Sequence, residues 1–380
     1  MGAAGEFDVL IGGAGPVGLA LAAMLVRQGA APQRIALIDA RPLEQAMHDP
    51  RSLALSWGSR QLLDEIRAWP VGATAIREIH VSRRGHFGRT LMTADEFSLP
   101  ELGYVSRYGM LVQTLSDAVR AAGVQVLRPM QIASREETAD GIAVLLADGR
   151  TLHGQVMVQA EGGLFADQLG KPLSRDYNQT AVISHVTVSA PITARAFERF
   201  TDEGPLALLP QDDGYALVWC LRPARAGQVA ALPDHAFLAE LQQAFGQRLG
   251  RILSATPRIA YPLGLNAGAA HTARMVAIGN AAQTLHPVAG QGLNLGLRDA
   301  AVLARMLAVS PTPLTLQRYA MKRRLDRDVT IRLTDTMARI FASAPNESFV
   351  QGLLGLSLGL IDGVRPFKRG LAEQMVFGRR

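Results

Sequence analysis

A single cysteine, Cys220, in a chain of 380 residues excludes a disulfide framework and a Cys-x-x-Cys redox pair. Within the apolar run 215–221 it reads as a small core hydrophobe, which suits a reducing cytosol. A run able to cross a bilayer is also missing: the nearly charge-free stretch 349–361 has thirteen residues, where a spanning helix needs about twenty. Residues 1–8 lack the basic start and apolar core of a secretion signal, and Glu6 stands where a myristoylation signal has serine or threonine. The expected location is therefore cytoplasmic. There is no internal repeat, no metal-ligand cluster, and no helix-turn-helix, zinc or RNA-binding motif. The net charge of +6 thus points to nucleotide phosphates or an acidic membrane surface, and not to nucleic acid. At this length the chain can bury a sizeable core in two domains, or in one with insertions.

Against those absences stand two glycine-rich loops. Residues 7–11 form a buried apolar run, followed by Gly13, Gly15 and Gly18 and then by Leu21, Met24 and Leu25 on one helical face. Strand, glycines and helix in that order make the dinucleotide fingerprint. Gly13 permits the tight turn, Gly15 lets backbone approach a pyrophosphate, and Gly18 allows helix to pack on strand. A second apolar strand, 34–38, ends in Asp39, 21 residues past Gly18, the spacing at which an acid accepts hydrogen bonds from a ribose.

The second loop lies far downstream. Residues 275–278 read as a short buried strand, and Leu293, Leu297, Ala300, Ala304 and Leu307 recur at helical spacing. Between them, Gly279 to Leu293 forms a loop at a strand end and a helix start, where unpaired N–H groups and the positive dipole end favour an electron-rich ligand atom. Gly290, Gly292 and Gly296 remove side chains where a flat ring would lie against backbone.

The run Gly279, Asn280, His286, Pro287, Gly290, Gly292 and Asn294 resembles the third fingerprint of the flavin-dependent aromatic hydroxylases. In wording it is most similar to the branch that hydroxylates polyprenyl methoxyphenols in ubiquinone biosynthesis. The resemblance covers nearly the whole chain, including segments 196–201, 204–207 and 217–220. It implies an α/β fold: a Rossmann-like FAD-binding domain, an inserted mixed β-sheet substrate domain and a helical C-terminal tail. The expected bounds are 1–75, 100–176 and 259–335 for the FAD-binding domain, 76–99 and 177–258 for the substrate domain, and 336–380 for the tail.

The same resemblance implies a monooxygenase using FAD, with NAD(P)H as electron donor. Reduced flavin takes up oxygen, and a C4a-hydroperoxide passes OH to the ring of a prenylated phenol. The implied cofactor contacts are Gly13, Gly15, Gly18, Asp39, Arg51, Gln113, Glu161, Asn280, Gly290, Gly292, Leu293 and Asn294, the backbone N–H groups of the last two facing negative charge on the reduced ring. His286, Pro287 and Gly292 are the candidates nearest the chemistry, and no residue stands out as the base for the phenol. Two departures matter. Asn280 replaces the usual aspartate, and Glu161-Gly162 replaces Asp-Gly without the serine and arginine that usually follow, which leaves open a flavin reductase or a non-catalytic flavin subunit.

Elsewhere, Asp148-Gly149 makes a hairpin turn, Asp212, Asp213 and Gly214 join two strands, and a helix from Asp234 buries Phe237, Leu241 and Phe245. His185 and Trp219 belong to this sheet region, as core or as pocket wall. A basic helix spans Lys322 to Arg332. The stretch 349–361, with Arg365, Lys368 and Arg369 after it, is either a helix closing the fold or a surface meeting membrane or partner protein. A homo-oligomer, association with other ubiquinone-biosynthesis proteins and peripheral contact with the inner face of a membrane all remain open at this stage.

Overall fold

The computed structural model describes residues 6–84, 89–162, 173–268, 271–287, 290–342 and 377; the stretch 349–361 and its basic neighbours lie outside them. The first sheet has seven strands. Its order runs Gln125–Leu127, Ile35–Ile38, Phe7–Gly12, Thr151–Gln159, Ile142–Leu146 and Ile132–Glu137, with Met275–Ala277 also pairing with Thr151–Gln159. The pairings around Phe7–Gly12 are parallel, so these strands are buried on both faces and read as unbroken Val, Ile and Leu runs. The hairpin at Gly149 adds the antiparallel edge. Helices Pro16–Arg27, Tyr108–Ala121 and Gln291–Leu307 share one core with this sheet. The apolar periodicities expected for all three are met: Leu111, Leu115, Val119, Leu297 and Ala300 have no exposed surface.

The second sheet has nine strands, ordered Gln283–Thr284, Ile259–Ala267, Leu173–Val188, Gly214–Leu221, Pro205–Gln211, Arg195–Phe200, Glu78–Arg83 and Arg89–Thr93, with Ile252–Ala255 also on Leu173–Val188. The early strands Glu78–Arg83 and Arg89–Thr93 thus join the later ones. The strand Ile259–Ala267 does not follow the expected bound at 258: it pairs with Leu173–Val188 from Leu173 to Ile183. A sixteen-residue strand leaves a ladder that only another long strand can satisfy. Helix Asp234–Phe245 packs its Phe237, Leu241 and Phe245 on this sheet, and Trp219 lies in the same core. A three-stranded sheet, Ser52–Ser56, Gly103–Arg107 and Thr74–Ile76, completes the set.

The basic helix runs from Pro313 to Ala342, and Arg323 on it is structural. Arg323, 4% exposed, donates Nε to Asp299 Oδ1 at 2.7 Å and Nη2 to Asp326 Oδ2 at 2.5 Å. Arg298 donates Nε to the same Asp326 oxygen at 3.1 Å. Burial opposes the charge on Arg323, and Asp299 and Asp326 more than offset it, raising its pKa. Asp299 has no exposed surface, and its other oxygen accepts Nε2 of Gln283 at 3.2 Å. One carboxylate therefore fixes the Gln291–Leu307 helix to both the C-terminal helix and the strand entering the second glycine loop. Asp299→Ala should lower stability by about 3 to 5 kcal/mol, the cost of stranding a buried charge. Urea unfolding measures it, and a loss under about 1 kcal/mol would contradict this role.

Candidate functional site

The two glycine loops meet at one cavity of about 960 Å³. The first loop leaves the strand Phe7–Gly12 with Gly13 at φ +103°, and a Cβ there would lie 2.5 Å from Glu161 N. At Gly18 the constraint is tighter, since a Cβ would sit 1.9 Å from Gly13 O. Gly15 caps the helix Pro16–Arg27 without a side-chain partner for its first N–H groups, so the helix presents its positive end to the cavity. Asp39 is 5% exposed; its Oδ2 accepts from Ala14 N at 2.6 Å and its Oδ1 from Arg41 N at 2.8 Å. Each carboxylate oxygen has a second lone pair, so bracing the loop leaves capacity for a ribose hydroxyl.

Arg51, which also lines the cavity, forms a two-pronged pair with Asp49, at 2.8 and 2.7 Å, and stacks over the Tyr108 ring at 4.8 Å. Burial works against both charges and the pair outweighs it, holding Asp49 below and Arg51 above their ordinary pKa values. Glu161 lines the cavity, and its Oε2 accepts from Arg135 Nη2 at 2.9 Å. The following Gly162 abuts the second loop so closely that a Cβ would lie 2.2 Å from Asn280 Cβ. Asn280 also lines the cavity.

The second loop contributes His286, Pro287, Gly290, Gly292 and Leu293 to the lining. Gly290, at φ +58°, turns the chain into the helix Gln291–Leu307. Asn294, 2% exposed, locks that turn: Nδ2 donates to Gly290 O and Ala54 O, and Oδ1 accepts from Ser56 N and Ser59 Oγ. Its side chain is thus spent on the scaffold. A Cβ on Gly292, by contrast, would meet nothing within 4 Å, so its backbone faces open space. His286 is 1% exposed and donates Nε2 to Gln179 Oε1 at 2.9 Å, while the Gln179 amide nitrogen is held by Glu203 O. Burial pushes its pKa down to about 4, so the ring is neutral near pH 7.

Opposite this loop, strand register sets Ile183, Leu209, Gln211, Ala216, Val218 and Ile259 on one sheet face along the cavity. His185 belongs to it too, its Nε2 donating to Gln211 O at 3.1 Å. Trp219 does not line it. Most of the residues named from sequence therefore converge, with three exceptions. Gln113 lies away from the cavity, its amide bonded to Asp117 at 2.9 Å, because it sits one turn along the helix Tyr108–Ala121. Gly18 and Asn294 act from behind the wall. Tyr108, Arg135, Gln179 and Gln211 are the residues that sequence reasoning missed; their partners lie far along the chain, and no local pattern marks them.

A cavity lined by a helix start, an acid, a half-buried ion pair and a side-chain-free loop has the donor set for a dinucleotide carrying a flat ring. Its volume lies in the range of ligand pockets. Residues 6–331 match the family model described as FAD binding domain, and the chain belongs to that family. It is an FAD-dependent flavoprotein of the monooxygenase class. Among its relatives, ubiquinone hydroxylase UbiL of Rhodospirillum rubrum is 31% identical over 95% of this chain and 87% of its own. The 3-demethoxyubiquinol 3-hydroxylase of Escherichia coli is 30% identical over 84% and 86%. In fold, p-nitrophenol 4-monooxygenase PnpA of Pseudomonas putida superposes with TM-score 0.78 at 15% identity, covering 98% of this chain and 99% of its own. HpxO of Klebsiella pneumoniae, solved with FAD and uric acid, gives 0.74 at 17%, covering 99% and 98%.

The depressed pKa of His286 has a consequence for stability. An unfolded histidine takes up its proton near pH 6.5 and folded His286 near 4, so the unfolded chain binds more protons between these values. The stability that neutral His286 contributes is whole above roughly pH 6.5 and drains away as pH falls toward 4, by about 3 kcal/mol in all. Urea unfolding across this range should show the wild type losing that much more than His286→Gln. Parallel curves for the two proteins would contradict a buried neutral histidine.

Proposed function

We propose that this protein hydroxylates the aromatic ring of a polyprenyl phenol in ubiquinone biosynthesis, with FAD as cofactor and NAD(P)H as electron donor. The observation that carries the proposal is one continuous cavity joining the dinucleotide loop to an apolar sheet face. Two relatives bear the names ubiquinone hydroxylase and 3-demethoxyubiquinol 3-hydroxylase, which supports this reading. Bound FAD supplies the activation of molecular oxygen, chemistry that belongs to the cofactor.

The chain supplies the rest. Gly13, Gly15 and the helix start at Pro16 suit the pyrophosphate, and Asp39 the adenosine ribose. Arg51 and Asn280 lie where the linking chain would pass, with Glu161 beside them. The Gly290–Leu293 turn offers backbone N–H groups at the Gln291–Leu307 helix start, where negative charge on the ring is stabilised. Ile183, Val218 and Ile259 exclude water from the opposite side. His286 acts by position: a ring of pKa about 4, held by Gln179, is a poor base at neutral pH. An electron-rich methoxyphenol needs little further activation. In this reading the seven-stranded sheet with its helices forms the FAD-binding domain, and the nine-stranded sheet the substrate domain, Ile259–Ala267 included.

Purified protein should release FAD on heating and form a hydroxylated prenylphenol only when oxygen, NAD(P)H and the phenol are all present. FMN in place of FAD, or phenol-independent turnover without product, would sink the proposal. Gly292→Ala tests the ring position within it. The added methyl points into open space, so FAD should stay bound while hydrogen peroxide per product rises at least severalfold; full coupling would place the ring elsewhere.

We also propose peripheral contact with an anionic membrane, through the helix Pro313–Ala342. Leu314, Met321 and Leu325 are 51%, 64% and 56% exposed, and Arg318, Lys322 and Arg324 are exposed on the same helix. Among the described residues no helix is long and apolar enough to cross a membrane; lying on one needs only such a mixed face. Each basic residue near anionic lipid contributes about 1 kcal/mol, so changing all three to Glu should abolish flotation with phosphatidylglycerol vesicles. Equal flotation of both proteins would rule this face out.

A further inference from the structure

We infer that Gln211 is the residue that recognises the substrate, its side-chain amide donating a hydrogen bond to a neutral oxygen on the aromatic ring. The inference rests on the hydroxylase function proposed above and assigns a specificity-determining group within it. Gln211 ends the strand Pro205–Gln211 and is 3% exposed. Its Oε1 accepts from Ser52 Oγ at 3.0 Å, and its main-chain oxygen accepts from His185 Nε2 at 3.1 Å. The first contact holds the side-chain oxygen and the second the backbone, and neither uses Nε2.

That nitrogen is buried and has no hydrogen-bond partner among the described residues. Of the buried side-chain atoms in this condition, it is the one whose residue lines the cavity. A buried donor left unmade is costly, and here it sits on the sheet face of Leu209 and Ala216, bonded to none of the described polar groups. A ligand oxygen would relieve it. The nine-stranded sheet contributes no Lys or Arg to the cavity lining; the cations that line it are Arg41, Arg51 and Arg107, the last two committed to Asp49 and to Asp212. A neutral amide without a cation discriminates for an uncharged phenol or methoxyl oxygen and against a ring carboxylate, whose desolvation it could not offset.

The test uses FAD-loaded enzyme and two probes, a geranylated 2-methoxyphenol and geranylbenzene, which lacks ring oxygen. Binding is read from perturbation of flavin absorbance, and FAD affinity is titrated separately. Wild type should prefer the phenol by about tenfold or more. In Gln211→Leu that preference should vanish while geranylbenzene binds as before, and in the assay KM should rise with kcat little changed. Gln211→Glu, which keeps the length but exchanges the donor for a charge, should also lose phenol. Ser52→Ala, a change outside the nine-stranded sheet, should weaken phenol binding severalfold by freeing the amide, and it keeps the test decisive if both Gln211 variants fail to fold.

Unchanged preference for the phenol in the variants that fold would overturn the inference. So would a fall in FAD affinity matching the loss of phenol, since the amide would then serve the cofactor. Wild-type enzyme that binds the phenol but yields no hydroxylated product would instead count against the hydroxylase proposal, leaving the role of Gln211 to be judged by binding alone.

Discussion

The site depends on backbone approaching backbone at distances that no side chain permits. Gly18 lies against Gly13 O, and Gly162 against Asn280, so closely that a Cβ at either would stand 1.9 or 2.2 Å from its neighbour. The first contact seats the helix Pro16–Arg27 on the sheet; the second presses the end of the strand Thr151–Gln159 onto the second glycine loop. Three segments separated by well over a hundred residues thereby share one wall. A methyl group at either point would push the segments apart, and the cavity between them would lose its shape before any ligand contact was altered.

What keeps those contacts in place is polar. Asp299 and Asn294 both lie on the helix Gln291–Leu307, one binding it to the C-terminal helix and the other to the strand Ser52–Ser56. Each is fully engaged, so the helix that begins at the flavin loop can neither slide nor rotate without stranding buried polar groups. Rigid support of this kind is what a site needs if a ring is to be held within tenths of an ångström. In the proposed function the sheet face along the cavity excludes water and receives the hydrocarbon chain.

Much of this was legible in the sequence where chemistry is local. Gly13, Gly15 and Asp39 could be placed because one βαβ unit contains both the loop and the acid at fixed spacing. Gly290 and Gly292 were placed by their position between a short strand and an amphipathic helix, and the wording of that loop carried the family. Pairings across the chain were not legible. That Ile259–Ala267 belongs with Leu173–Val188, that His286 rests on Gln179, and that Gln211 faces the cavity are consequences of register between distant strands, which no window of sequence records. Gln113 shows the converse error: helical spacing placed it correctly on the helix Tyr108–Ala121 but could not say which face looked toward the cavity. Arg323 and Arg327, read from sequence only as part of a basic helix, are buried; the partner of Arg323, Asp299, comes into reach only once the helices Gln291–Leu307 and Pro313–Ala342 are packed.

The central claim is that one FAD molecule bridges the two glycine loops. Hydrogen exchange on the cofactor-free and FAD-loaded protein tests it directly, since amides that meet a bound ligand or are closed off by it exchange more slowly. The account predicts simultaneous protection at Gly15 and Val17, at Ala40 and Arg41, and at Gly292 to Asn294, with little change on the far face of the nine-stranded sheet around Phe237 and Leu241. Protection confined to the first loop, with Gly292 to Asn294 exchanging at the same rate in both forms, would contradict it.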